Sequence, residues 1–212
     1  MFRFVQSDFV AAGTFNIYVL QPDWFTELGL FISGPKVRLH ADLSRPGYRF
    51  SQQDSEVEWT ITPEKVVAAS RARHENCGAA IGKVIETLEW TPLIAVGGNV
   101  MLRADETDRD SIPFQLFVPD LSPDFTWKNS SSVVTVTRGG RDFRIALTRD
   151  GDGCQITANI HTDLSRFLGR EQKLAAARNA CESFLSDQRT AFSLIEQFYG
   201  VGIENDDCVR TA

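Results

Sequence analysis

Alternation of apolar and polar residues predicts that strands occupy most of this chain. In the segment from Lys36 to Leu43, for example, we expect Val37, Leu39, Ala41 and Leu43 to face the core. Turn chemistry supports a meander near the end of the chain, since Gly139-Gly140 and Asp150–Gly153 suit tight hairpins. The predicted strands are Thr14–Leu20, Lys36–Leu43, Tyr48–Ser51, Val57–Val67 with a bulge at Pro63, Leu93–Arg103, Ile112–Val118, Val133–Arg138, Asp142–Arg149 and Cys154–Thr162.

Helical spacing appears in three places. Ile81, Val84, Ile85 and Leu88 recur at i, i+3, i+4 and i+7, and the helix they predict is stopped by Thr91-Pro92. A short helix is predicted from Pro22 to Gly29, and one long helix from Arg170 to Tyr199. These elements predict an α+β fold with antiparallel-rich sheets and helices on one face.

The stretch from Asp105 to Ser111 is the most polar one inside the chain. It predicts two similarly composed halves, residues 1–108 and 109–212, the second being a β-meander followed by the long helix. One continuous domain is the alternative.

The predicted C-terminal helix would be about 45 Å long at 1.5 Å per residue. The three strands before it would span only about 27 Å. We therefore expect its far end to leave Leu194, Ile195, Phe198 and Tyr199 uncovered, as an interface for a protein partner or for a second copy of the chain. The alternative is that the first half of the chain, or the loop Pro119–Trp127, folds over these residues within the monomer.

The composition is ordinary for a globular protein, with 42% hydrophobic residues and a net charge of −6. The negative charge argues against a general affinity for nucleic acid or anionic membranes. No run of residues reaches the length of a membrane span, and residues 1–8 do not resemble an export signal. With four scattered cysteines, Cys77, Cys154, Cys181 and Cys208, we expect a cytoplasmic protein with unpaired thiols.

Gly97-Gly98-Asn99 follows a predicted strand, which raises the possibility of a phosphate-binding loop. No helix begins there, so we interpret these residues as a structural bulge at which other side chains would not fit. The segments His74–Cys77 and Asp150–Gly153 lack the further ligands that zinc or calcium sites require. No nucleophile motif is present. The sequence therefore predicts no catalytic residue, no metal site and no cofactor.

Basic residues on the predicted strands offer a different function. Strand-borne arginines can bind RNA or phosphate groups, although an ordinary solvated sheet face explains them too. The members of this basic patch are Lys36, Arg38, His40, Arg45, Arg49, Arg138, Arg141 and Arg144.

The segment Ala80–Asn99 consists of a helix followed by the strand Thr-Pro-Leu-Ile-Ala-Val-Gly-Gly-Asn, and Trp59–Pro63 precedes it. In these motifs the chain resembles a sporadically distributed family of uncharacterised bacterial proteins, over about residues 57–103. The resemblance implies a bacterial source and brings no established activity.

From the sequence we expect a non-catalytic binding or assembly module that self-associates or joins a protein complex. The alternative is a nucleic-acid or nucleotide binder in a defence or mobile-element system. An enzyme whose site is assembled from scattered residues is the second alternative.

Overall fold

A computed structural model describes residues 1–41, 44, 46–104, 130–150 and 153–204. It contains one nine-stranded antiparallel sheet in the order β2-β3-β4-β5-β1-β6-β9-β8-β7. The strands are β1 Arg3–Gly13, β2 Val37–Ala41, β3 Tyr48–Gln52, β4 Val57–Ile61, β5 Lys65–Ser70, β6 Leu93–Ala104, β7 Ser130–Arg138, β8 Arg141–Asp150 and β9 Gly153–Asp163. The helices are α1 Pro22–Glu27, α2 Cys77–Thr87, α3 Arg170–Glu182 and α4 Phe184–Tyr199, with a short 3-10 helix at Leu164–Arg166.

Most of the predicted elements are present, and the α+β class is confirmed in this coarse form. The helix α2, the strand β6 and the meander β7–β8–β9 lie within a few residues of their predicted bounds. The side-chain oxygen of Asn76 accepts a hydrogen bond from the Ala79 N–H and so caps α2. The turn between β7 and β8 has positive φ at both Gly139 and Gly140, as its composition predicted.

The first strand was predicted in the wrong place. Residues 14–20 form turns, in which the Asn16 side chain accepts a hydrogen bond from the Tyr18 N–H, and they are not a strand. The strand β1 precedes them and lies in the middle of the sheet. Its buried face includes Ser7, Ala11 and Gly13, which are too small or too polar to give a strong apolar alternation.

Two further strand predictions need correction. The chain does not run straight through Pro63, since β4 and β5 form a hairpin in which Ile61 pairs with Val66. The strand β2 is not a core strand either, because it lies at one edge of the sheet and leaves Leu39 55% exposed. The predicted strand Ile112–Val118 lies outside the described residues.

The long C-terminal helix is divided into α3 and α4 at Ser183. The Ser183 hydroxyl donates to the Asn179 carbonyl oxygen at 2.7 Å, a local bond that competes with the continuing helical pattern. α4 alone has 16 residues, about 24 Å at 1.5 Å per residue, so it does not outrun the sheet.

α1 and α4 contact the same face of the sheet. Trp59, Ala68 and Phe9 are consecutive cross-strand partners, so their side chains share one face. On that face α1 places Phe25 against Trp59, with ring centroids 4.5 Å apart, and α4 places Phe184 against Phe9 at 5.3 Å. The strands before and after residues 105–129 join through pairing of β6 with β9, so a single sheet runs through both predicted halves.

Candidate functional site

One surface groove lies between residues 89–93, at the start of β6, and residues 168–174, at the start of α3. Its volume is about 340 Å³, within the range of small binding clefts. The lining residues are Glu89, Trp90, Thr91, Pro92, Leu93, Leu168, Arg170, Lys173 and Leu174.

The groove forms where two antiparallel helices separate. α2 and α3 pack closely at the other end, because Gly78 and Gly82 have no side chains to hold them apart. A Cβ added at Gly78 would lie 2.6 Å from the Cβ of Phe184, and one added at Gly82 would lie 3.4 Å from the Cβ of Cys181. Nearer the groove, Arg178 on α3 and Glu86 on α2 form an ion pair at 3.8 Å. Beyond this pair α2 ends, and the walls are formed by the segment that follows α2 and by the first turns of α3.

The first wall is fixed to the end of β1. The Thr91 N–H donates to the Leu88 carbonyl at 2.8 Å, and the Thr14 N–H donates to the Pro92 carbonyl at 3.1 Å. A Cβ at Gly13 would lie 3.2 Å from the Cα of Leu93, so the glycine permits this close approach. The backbone around Trp90 is therefore fixed by one hydrogen bond to the end of α2 and by another to the residue after β1.

The second wall follows the 3-10 helix. The Asp163 carboxylate accepts a hydrogen bond from the Ser165 N–H at 2.9 Å and forms an ion pair with Arg166 at 3.4 Å. The hydrogen bonds from Ser165, helped by Arg166, hold the pKa of Asp163 below its usual range. This turn fixes the chain just before Leu168, whose side chain is 100% exposed.

Large exposed side chains stand on both walls. The Trp90 side chain is 75% exposed, and the Arg170 guanidinium carbon lies 3.6 Å from the centre of its indole ring. Lys173 adds a second cation, against the single carboxylate of Glu89. The groove thus combines apolar side chains with an excess of positive charge in a chain whose net charge is −6. This arrangement suits binding.

The structure does not bring the predicted basic patch together. Arg38, His40 and Arg49 lie on β2 and β3 at one end of the sheet, and Arg49 forms an ion pair with Glu58 at 3.6 Å. Arg144 lies on β8, seven strand positions from β2, which corresponds to roughly 34 Å at the usual strand spacing. Lys36 precedes β2, Arg138 lies next to the β7–β8 turn, and Arg45 lies outside the described residues.

Arg141, the remaining member of that patch, has a structural role instead. Its guanidinium donates hydrogen bonds to the Asp187 carboxylate and to the side-chain oxygen of Asn179. Only 14% of the Arg141 side chain is exposed. This arginine therefore connects the start of β8 to the α3–α4 junction, and it is not available to a nucleic acid.

The predicted interface on α4 is mostly covered. Ile195 and Tyr199 are buried in a cluster with Phe2 and residues of β6, β8 and β9, and Leu194 packs against the same cluster. Phe198 alone of the four is 40% exposed. These residues belong to the core because α4 lies over the sheet along its length, so the prediction of an uncovered helix end was wrong.

Gly97, Gly98 and Asn99 do not form the predicted bulge. β6 pairs with β1 and with β9 without a register shift from Ala95 to Met101. The other part of the prediction, a close neighbour at these glycines, agrees with the structure. A Cβ at Gly98 would lie 2.6 Å from Cδ2 of Phe184, and a Cβ at Gly97 would lie 3.3 Å from the Cα of His161.

Asn99 takes part in a polar row that the sequence did not predict. On the sheet face opposite Phe9, the Asn159 amide donates to the Asn99 side-chain oxygen at 2.7 Å, and the Asn99 amide donates to Asp8. In the sequence, each of the three strands contributes only one residue to this row. Such a row cannot be recognised before the order and register of the strands are known.

The described residues also include potential metal ligands and thiols. Among these described residues, no group of three or more His, Cys, Asp or Glu is placed to hold a metal ion. Cys77 and Cys181 are free and buried, and burial raises the pKa of each to about 12, which makes both poor nucleophiles at neutral pH. Cys208 lies outside the described residues.

Fold and groove together define an α+β protein with a preformed surface groove. Among the described residues, no helix has the length and hydropathy needed to cross a membrane. No protein-family model matches the chain, and no match was found among curated proteins.

Proposed function

We propose that this protein is a non-catalytic binding module that docks a protein partner in the groove between residues 89–93 and 168–174. The observation that carries the proposal is the pair Trp90 and Leu168, two large apolar side chains exposed on opposite walls of one groove. Scattered exposed apolar residues are common, but residues of this kind next to a preformed cleft are typical of interaction sites. Tryptophan and arginine are also the residues most often found to dominate binding energy at interfaces.

Charge indicates what kind of segment would fit. Arg170 and Lys173 lie on the side of α3, whereas Glu89 is the only acidic residue in the lining. We propose an occupant with an apolar anchor for the groove and a neighbouring carboxylate for the two cations. The stacking of Arg170 on Trp90 holds that guanidinium in place before binding, which lowers the entropic cost of forming the contact.

On the sequence grounds given above, we further propose that the module works in the bacterial cytoplasm. The supporting observations are the resemblance over residues 57–103 and the buried free thiols of Cys77 and Cys181.

The test is a selection of peptides from a random displayed library on the immobilised full chain. Selected peptides should contain a large apolar residue near Asp or Glu. The variants Leu168→Asp and Trp90→Ala should each weaken binding of a selected peptide at least about tenfold, equivalent to about 1.4 kcal/mol. Arg170→Glu should weaken peptides with a carboxylate more than their amide analogues.

Ile32→Asp is the matched control for Leu168→Asp. Ile32 is an aliphatic residue that is 75% exposed, and it lies outside the groove. This variant should bind like the parent chain. Equal binding by the parent and by Leu168→Asp would show that the groove is not the site. Selected peptides without acidic residues would contradict the proposed chemistry of the occupant.

A further inference from the structure

Among the described residues, the two outermost strands of the sheet differ in how they are protected against pairing with another chain. An edge strand exposes unpaired backbone groups, and proteins usually blunt such edges with short strands, charges, proline or bulges. β2 follows this rule, since it has only five residues and carries Arg38 and His40. β7 does not, since it has nine residues, Ser-Ser-Ser-Val-Val-Thr-Val-Thr-Arg, and its only charge is the terminal Arg138.

The β7 edge is also regular. β7 pairs with β8 at nine consecutive positions, from Ser130 with Arg149 to Arg138 with Arg141, without a register shift. The edge therefore extends over about 30 Å at 3.4 Å per residue and has no bulge that would turn it away from another strand. Among the described residues, no strand pairs with its outer side.

The side chains of β7 suit a strand placed beside them. Val134 and Val136 are half-buried on the face that carries the core, and Val133 on the other face is 49% exposed. Valine and threonine at four of the central positions favour extended backbone. A neighbouring strand would cover these side chains and satisfy the outward-facing backbone groups.

We propose that β7 pairs antiparallel with β7 of a second copy of this chain, about a two-fold axis at Val134, so that the two nine-stranded sheets continue into one. In this register Ser132 lies opposite Val136 and Val133 lies opposite Thr135, so that each face of one sheet continues into the same face of the other. The terminal Arg138 lies opposite Ser130, and no like charges meet. In this register β7 is therefore complementary to β7 of a second copy.

This proposal is independent of the groove. The β7 edge, and not α4, is the proposed surface of self-association, because the α4 residues predicted for that role are mostly buried. A dimer formed through β7 would present two copies of the groove, one on each chain.

Charge reversal at Val133 and Thr135 tests the proposed register. Both side chains are exposed, so substitutions there should leave the chain folded. In Val133→Lys/Thr135→Lys each lysine would lie opposite a lysine of the second copy, and in Val133→Glu/Thr135→Glu each glutamate would lie opposite a glutamate. By light scattering after size exclusion at tens of micromolar, the parent chain should be a dimer and each double variant a monomer.

An equimolar mixture of the two double variants should dimerise again, because each lysine then lies opposite a glutamate. Circular dichroism and melting temperature confirm that both variants are folded. A monomeric parent chain, a dimer that survives the lysine variant, or a mixture that stays monomeric while both variants are folded would each overturn the proposal. Leu168→Asp should leave the dimer intact, and the lysine variant should still bind the selected peptides, so failure at one surface is distinguishable from failure at the other.

Discussion

At the scale of single residues, Asp8 is held in an unfavourable environment. Burial on the sheet raises its pKa, and the hydrogen bonds from Asn99 and Gln6 and the charge of Lys65 offset this only in part. A raised pKa means that the folded state prefers the protonated carboxyl group. Ionisation of Asp8 therefore costs stability as the pH rises through its folded-state pKa.

Asp8→Asn should consequently raise the melting temperature at neutral pH. The new amide keeps an oxygen that can accept from Asn99 and removes the charge that burial disfavours. The gain should shrink as the pH falls and vanish below about pH 4, where aspartate is protonated in the unfolded chain as well. Thermal unfolding of both proteins between about pH 3 and pH 8 measures this difference.

Asp163→Asn is a control with the opposite sign. The pKa of Asp163 is lowered because the Ser165 hydrogen bonds favour the carboxylate. Its contribution to stability is therefore present at neutral pH and is lost as the pH falls through the folded-state pKa. Asp163→Asn should lower the melting temperature at neutral pH and have less effect in acid. The same sign for both variants would contradict the account given for Asp8.

At the scale of elements, the junction of α3 and α4 depends on a contact from β8. The Arg141–Asp187 pair has side chains that are only 14% and 13% exposed, and the Ser183 hydroxyl also donates to Asp187 at 3.1 Å. The position at which the helix breaks is thus stabilised by a residue about forty positions earlier in the chain.

Arg141→Ala should lower the free energy of unfolding by about 2–4 kcal/mol, because it leaves the Asp187 carboxylate without its main partner in a partly buried place. Arg141→Ala/Asp187→Ala should lose less than the sum of the two single changes. Denaturant unfolding of the single and double variants provides the values.

The exposed pair Arg49–Glu58 is a suitable comparison, with side chains 63% and 55% exposed. Arg49→Ala should change the free energy of unfolding by no more than about 1 kcal/mol. If Arg141→Ala proved as mild as Arg49→Ala, the junction would not depend on this ion pair.

At the scale of the whole molecule, two hydrophobic clusters share one sheet. The first includes Phe9, Trp59 and α2, and the second includes Phe2, Ile145 and α4. β6 contributes Val96 to the first cluster and Val100 to the second, and its pairing with β9 covers ten positions. We therefore expect the clusters to unfold together, although the division at residues 108 and 109 stays a prediction.

Ile145→Ala tests this cooperativity. The substitution empties a fully buried site in the second cluster and should lower the free energy of unfolding by about 2–5 kcal/mol. In a Trp90→Phe/Trp127→Phe background, fluorescence comes from Trp24 and Trp59, which belong to the first cluster. The fluorescence midpoint in denaturant should shift as far as the midpoint measured by circular dichroism.

Thr148→Ala on the same strand is exposed and should leave both midpoints in place. An Ile145→Ala variant whose fluorescence midpoint does not move would show that the first cluster unfolds on its own.

The sequence by itself determined the elements whose signals are local. α2 followed by β6 was predictable because Asn76, the 3.6-residue spacing and Pro92 all act within one segment. The meander was predictable because Gly139 and Gly140 specify a tight turn between alternating strands. Composition and motifs likewise argued against several kinds of site, but no residue of the groove was predicted.

Tertiary structure decided what depends on distant contacts. Only strand pairing places β1 at the centre, where Ser7, Ala11 and Gly13 are buried although their sequence pattern is weak. Only the sheet order separates Arg38 from Arg144, and only the fold brings Arg141 of β8 to the junction at which the last helix divides. Trp90 and Leu168 are 78 positions apart in the sequence, and they line one groove because α2 and α3 pack through glycine at their opposite ends. Such contacts are set by the packing of whole elements, whereas a sequence pattern reports only on its own segment.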